Sequence, residues 1–233
     1  ANIGEITIGD NAIFNSNSAY DGGAIFNTET STTTISNGAK FTNNVAVSSG
    51  GAIYNDAILN IADNVLFSSN SAEYGGAIYS GAGELTIGDN VIFSSNSAIA
   101  GGAIINYYGE ITIGNNIAFS SNTSIDAGGG AICNGYGEIS IGNNVIFSLN
   151  TAKNVGGAIY NYEGGITIGD NVLFSSNSAD YGGAIANLGE ITIGNNAIFN
   201  SNSANVYGGA IYNYEGEITI GDNAVFSSNS SMD

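Results

Sequence analysis

The sequence predicts an all-β fold: a right-handed, single-stranded parallel β-helix (solenoid) of about nine coils of about 26 residues, three short strands per coil. Phe followed three residues later by Asn recurs nine times in phase, at Phe14/Asn17, Phe41/Asn44, Phe67/Asn70, Phe93/Asn96, Phe119/Asn122, Phe147/Asn150, Phe174/Asn177, Phe199/Asn202 and Phe226/Asn229. Between them stand eight copies of Gly-Gly-Ala-Ile, ending at Ile25, Ile53, Ile78, Ile104, Ile132, Ile159, Ile185 and Ile211. A third block reads Ile-Thr-Ile-Gly-Asp/Asn-Asn, as at residues 6–11 and 111–116.

Gly, Asn, Asp and Ser separate these blocks, which marks three strands divided by turns, and no helical period competes with them. Six residues always lead from the second Ile of Ile-Thr-Ile to Phe, and three from Phe to Asn. The other two connections vary in length, so the coil reads as a triangle with one rigid corner and two tolerant ones, where insertions loop outward without breaking the stack. Residues 1–233 read as one repeat domain. The chain starts inside a Gly-Gly-Ala-Ile-type strand and stops before the next Gly pair, which suggests a segment of a longer array, or a subunit that stacks head to tail into a filament.

Alternation along each strand assigns the faces. The residue before Phe is Lys40 in the second repeat, so that column points outward, and Phe with the residue two before it (Ala12, Val65, Val91, Ile117) points inward. Leu149, two after Phe147, is expected inward by the same parity, as are Ile6 and Ile8, with Glu5 and Thr7 outward. In Gly-Gly-Ala-Ile the unvarying Ile points in. The following column (Phe26, Tyr54, Tyr79, Ile105, Cys133, Tyr160, Ala186, Tyr212) is expected outward, with the alanine column exposed beside it. The Asn columns (Asn11, Asn64, Asn90; Asn17, Asn44, Asn70) fit positions of positive φ, their amides stacked in ladders.

Composition narrows the function. Two basic residues, Lys40 and Lys153, face twenty acidic ones for a net charge of −18. Nucleic-acid binding requires a basic footprint, and an anionic membrane surface repels such a chain. No apolar run approaches the ~20 residues needed to span a bilayer as a helix. The single Cys133 excludes an internal disulfide.

The paired Gly-Gly-Ala-Ile and Phe-x-x-Asn motifs, in register over the whole chain, resemble the polymorphic outer-membrane protein (Pmp) repeat of chlamydial surface adhesins and autotransporter passengers. The resemblance implies an exported, extracellular β-helix at the cell surface, with a role in adhesion and no catalytic residues to carry over. It departs from such passengers in its scarcity of Cys and in lacking a C-terminal membrane barrel within these residues.

Three groups of residues are candidate sites. Asp10, Asp63, Asp89, Asp170 and Asp222 form an acidic column at the rigid corner, read first as solvated charge that needs no cofactor; recruitment of calcium is the weaker alternative, since Asn115, Asn143 and Asn195 interrupt the column. Ile13, Leu66, Ile92, Ile146, Leu173, Ile198 and Val225 make an outward apolar stripe, the mark of an interaction surface. Tyr54, Tyr79, Tyr160 and Tyr212, with the corner residues Tyr74, Tyr107, Tyr108, Tyr162, Tyr181, Tyr207 and Tyr214, offer an aromatic ladder to a sugar or a partner chain, or stabilise the rod by stacking. The partners expected are a host or neighbouring-cell surface protein or glycan, or further copies of the chain.

A polysaccharide-acting enzyme is the lower alternative. With no His and no Arg, lyase chemistry lacks its base, and nearly all acids stand in repeated columns and not in a catalytic pair. Cys133 has no His to activate it. The expectation is a non-enzymatic structural and adhesive solenoid.

Overall fold

The computed structural model of the chain describes residues 1–28 and 30–232. Its coils stack as parallel ladders in which each residue pairs with its counterpart one repeat away. One coil from the middle of the rod runs Glu84–Ile87, Ile92–Ser94, Ser97–Ala98, Ile104–Asn106. Among the described residues, the first and second strands of each coil build nine-stranded sheets and the Gly-Gly-Ala-Ile strand an eight-stranded third sheet. The three expected sheets are therefore present. A fourth, short ladder is added where a corner was expected: after the Asn of Phe-x-x-Asn, segments such as Ser97–Ala98 and Thr123–Ser124 pair with one another. This corner tolerates variable length because only about two residues of it are held in register.

Registers place like on like: Phe93 opposite Phe119, Ile113 opposite Ile141, Ile104 opposite Ile132. The nine phenylalanines form an unbroken column of near-parallel rings, with centroids 4.6–4.9 Å apart. Those from Phe41 to Phe199 are fully buried, together with the Ile pair of the first sheet, the residue two before Phe, and the Ile of Gly-Gly-Ala-Ile. Full burial of one such side chain stabilises by about 1.5–3 kcal/mol, so the column is a principal source of cohesion between coils. On the outer coils the rings are uncovered, and Phe226 is 51% exposed.

The alanine column departs from strict alternation. Ala52, Ala77, Ala103, Ala131, Ala158 and Ala184 are buried in the main core beside the isoleucines, not exposed as parity predicts. The cause is a bend: Ala77 precedes the strand Ile78–Ser80, and its N–H and that of Ile78 both donate to the carbonyl of Ala103, at 2.9 and 3.0 Å, so strand alternation does not reach it. The Gly pair produces this bend. Gly101 sits at φ +66°, and a Cβ on Gly102 would fall on the carbonyl oxygen of Gly130 in the next coil. The first glycine supplies the left-handed turn and the second the close approach between coils.

The Asn17 column is likewise corrected. Positive φ falls on the residue before it, Ser95 or Ser121, while the Asn11-type column does take positive φ, as at Asn64 and Asn90. Leu149 occupies one of these left-handed positions, at φ +57°, where the strand has already ended, and its side chain is 58% exposed instead of inward.

The Asn side chains after Phe are buried from Asn44 to Asn202 and meet every hydrogen-bonding demand. Asn122 donates from Nδ2 to the carbonyl of Phe93 and to Oδ1 of Asn150, each at 3.0 Å. Its Oδ1 accepts the backbone N–H and the Nδ2–H of Asn96, both at 3.0 Å. Two donors and two lone pairs are all used. Asp lacks the donors and would stack charge on charge, and Ser has only one donor. A second buried Asn ladder follows the third sheet, as in Asn106 to Asn134 and Asn134 to Asn161, both 2.9 Å.

Ser80 stands in register in that second ladder between Asn55 and Asn106 and breaks it. Ser80 Oγ and Asn106 Oδ1 are buried without a hydrogen-bond partner. Ser80→Asn restores the chain of amides and should raise the melting temperature by about 2–4 °C, the equivalent of about 1 kcal/mol for one recovered bond. In the opposite direction, Phe119→Ala leaves a void between two buried rings and should lower stability by about 3–5 kcal/mol in urea titrations, whereas Phe226→Ala, half exposed, should cost far less.

Candidate functional site

The outer face of the second sheet carries the apolar column expected from sequence. It alternates with the buried Phe column, which forces it away from the core. Ile13, Ile92, Ile146, Ile198 and Val225 are exposed, Ile92 by 43%, and Leu66 and Leu173 are half-buried. Lys40 stands exposed in the same column, in register between Ile13 and Leu66. These side chains lie flat on parallel strands flanked by Ser, Thr and Asn, as in Leu66–Ser68 and Lys40–Thr42.

The tyrosine column of the third sheet points away from the main core but is not fully exposed. Tyr54, Tyr79, Tyr160 and Tyr212 are half-buried, and Ile105 and Cys133 form a second small core with Ala100. The corner segment leading into the Gly pair covers this column, a cover that alternation within one strand cannot reveal. Phe26, Tyr54 and Tyr79 stack at 4.6 and 4.9 Å. The Tyr54 hydroxyl donates to the Asp56 carboxylate. Further along, Tyr181 lies 5.3 Å from Tyr212.

The acidic column has a structural role independent of any ion. Asp63 Oδ1 accepts the backbone N–H of Asp89 at 2.8 Å, and Asp89 Oδ1 that of Asn115 at 2.7 Å. Asn143 Oδ1 does the same for Asp170, and Asn195 Oδ1 for Asp222, at 2.7 and 2.8 Å. Only a side-chain oxygen at this reach is needed, which explains why Asp and Asn alternate freely. Among the described residues no three His, Cys, Asp or Glu are grouped to hold a metal ion. Glu163, Glu190, Glu215 and Glu217 line an open concavity on the first-sheet side, too dispersed to form such a group. Lys153 pairs with Asp126 at 2.8 Å, both exposed, an ion pair of small energetic weight.

The corner tyrosines Tyr107, Tyr108 and Tyr162, read from sequence with the tyrosine ladder, cluster with Tyr136, which sequence reasoning missed. Tyr108 stacks on Tyr136 at 5.1 Å, with Tyr107 edge-on to Tyr108 at 4.6 Å and Tyr162 edge-on to Tyr136 at 5.6 Å. The signal available was the repeated Tyr one or two places after the third-sheet Asn, at a corner of variable length.

These features define a repeat-built parallel β-solenoid with ordered columns of side chains on its outer faces. The chain carries Chlamydia polymorphic membrane protein repeats within a β-solenoid. The sequence profile of the Chlamydia polymorphic membrane protein (Chlamydia_PMP) repeat matches residues 38–56, 64–81, 144–162, 171–188 and 196–214. The coils between these stretches keep the same Phe and Gly-Gly-Ala-Ile columns in ladder register. No curated protein and no solved structure matches the chain significantly. Proteins with this repeat are membrane and surface proteins, typically non-catalytic, and among the described residues no helix is long and apolar enough to cross a membrane.

Burial pushes the Cys133 thiol up from 9.0 to about 12, and burial first, then nearby Cys133, pushes the Tyr160 hydroxyl up to about 12. Both groups thus bind a proton more tightly folded than unfolded. Their stabilising contribution is complete below the unfolded values and is lost as pH rises through the folded ones. Stability should therefore fall between about pH 9 and about pH 12, and Cys133→Ala should reduce the drop, as measured by urea midpoints at about pH 8 and about pH 11.

Proposed function

We infer that the chain is the rod of an extracellular cell-surface protein, structural and adhesive rather than enzymatic, and that the second sheet's outer face docks a protein on a host or neighbouring cell. The observation that carries this reading is the column of Ile13, Ile92, Ile146, Ile198 and Val225, apolar side chains exposed in register along the rod. Scattered exposed apolar residues are ordinary, but an ordered stripe of them marks an interaction surface. Its flatness suits another protein's surface better than a small molecule, which needs a concave site.

The non-enzymatic reading is supported by the absence of His and Arg from the sequence and by the use of the corner Asp oxygens as acceptors for the backbone. An acidic exterior of net charge −18 keeps such a rod off anionic lipid and directs contact to the uncharged stripe.

The chain itself supplies the test. Lys40 shows that the column accepts a lysine without disturbing the coil. The combined variant Ile92→Lys, Ile146→Lys, Ile198→Lys should keep its melting temperature within a few degrees and lower the binding of cultured cells to immobilised protein by at least about tenfold. Equal cell binding by the folded variant would remove the stripe from the docking surface. No cell binding by the wild-type protein would remove the adhesive reading altogether.

A further inference from the structure

The aromatic stack on the outer side of the third sheet runs from Phe26 through Tyr54 to Tyr79 and then stops, because the next two coils present Ile105 and Cys133 in the same column. Tyr79 is stacked on Tyr54 through one ring face, and on its other side the column narrows to Ile105. At this step a cavity of about 350 Å³ opens, lined by Ser48, Ser49, Tyr74, Tyr79, Ile105 and Tyr107. That size lies within the range of small-ligand sites. From Tyr107 an exposed aromatic surface continues over Tyr108 and Tyr136, whose rings lie within 17° of parallel. Tyr108 is 57% exposed.

The chemistry of the lining selects the ligand class. Its polar groups are hydroxyls from two serines and three tyrosines, which both donate and accept hydrogen bonds. Its apolar groups are aromatic rings and one isoleucine. None of the six lining residues is charged. A sugar ring presents the matching set: a C–H face of slightly positive character for the negative face of an aromatic ring, and a rim of hydroxyls for Ser and Tyr. An anionic sugar would lack a cation here and would approach a chain of net charge −18. Carboxylates border the cavity without lining it, Glu73 beside Tyr74 and Asp21 at the Ser49 backbone N–H, so the salt dependence of binding separates a basic peptide from a neutral sugar. Successive coils advance by about 4.8 Å, comparable to one sugar unit, so a chain of sugars can follow the tyrosines from coil to coil.

We propose that this cavity and the adjoining tyrosines bind a neutral oligosaccharide, with one sugar ring seated against Tyr79 and Tyr107 and the following rings over Tyr108 and Tyr136. The site lies on the third sheet and its corner, apart from the apolar stripe of the second sheet, and it rests on the extracellular reading only in that a glycan must reach it.

The experiment titrates the whole chain with neutral tetrasaccharides of glucose, galactose, mannose and N-acetylglucosamine. Binding is followed by saturation-transfer NMR and by tyrosine fluorescence, which is clean because the chain has no Trp. At least one saccharide should bind below about 10 mM, unaffected by salt, and Tyr107→Ala should weaken it at least about tenfold with an unchanged melting temperature. Tyr214→Ala, at an exposed tyrosine three coils beyond Tyr136, should leave binding as it is. The proposal is overturned if folded protein binds none of the four saccharides, if Tyr107→Ala binds as well as wild type, or if only a basic peptide binds and salt weakens it. Cell binding by a folded protein that takes none of the four saccharides would sink this site and leave the adhesive stripe standing. Saccharide binding by a protein that holds no cells would do the reverse.

Discussion

Each coil of this protein can hide its inward face only against the coils on either side, at the spacing of one hydrogen-bonded strand. That constraint explains the repetition. A residue in the core meets its own counterpart above and below, so each column must be filled by a side chain that packs well against itself. Phe does so by offset stacking, with centroids 4.9 Å apart from Phe41 to Phe174. Ile does so by close van der Waals contact. Asn does so by passing an amide hydrogen to the next amide oxygen. A buried polar group is costly when unpaired, and the Asn122 type of column avoids the cost because each amide is both donor and acceptor in the same direction.

The same constraint separates structural from variable positions. Positions that must stack on themselves are fixed, as at Phe, Asn and the Gly pair. Positions that face water at the corners are released, and there the chain varies in length and in residue type. The variable corners carry the chain's uncommon features: the tyrosine cluster of Tyr107, Tyr108 and Tyr136, the Lys153–Asp126 pair, and the cavity beside Tyr79. A solenoid of this kind therefore separates cohesion from recognition within every turn. The outward apolar stripe is the exception, since it lies on a regular strand. It varies in residue type, from Ile13 to Lys40 to Leu66, as a column with no internal partner is free to do.

Acidic residues show why a motif needs geometry before it becomes a site. Five aspartates at one corner resemble a cation ladder when read as charge. In the structure the oxygens of Asp63, Asp89 and Asp170 hold backbone N–H groups of the adjacent coil, a task that Asn115, Asn143 and Asn195 share. The alternation of Asp with Asn is the imprint of an acceptor requirement.

Repetition made most of this legible from residues alone. The coil number, the three main sheets, the inward Phe and Ile columns and the outward apolar stripe all follow from period and alternation, because in a stack of equivalent coils one repeat constrains every other. The polymorphic membrane protein repeat was legible for the same reason. What the residues left open arises where the chain leaves the strand. The bend at Ala77, before the strand begins, brings the alanines into the core, and the left-handed turn at Leu149 throws that side chain out, because alternation holds only while the backbone stays extended. The half-burial of Tyr79 and Tyr160, and the cavity between Tyr79 and Tyr107, depend on how a corner segment folds back over a neighbouring coil. That arrangement joins residues with no fixed sequence spacing, so only the tertiary structure decides it.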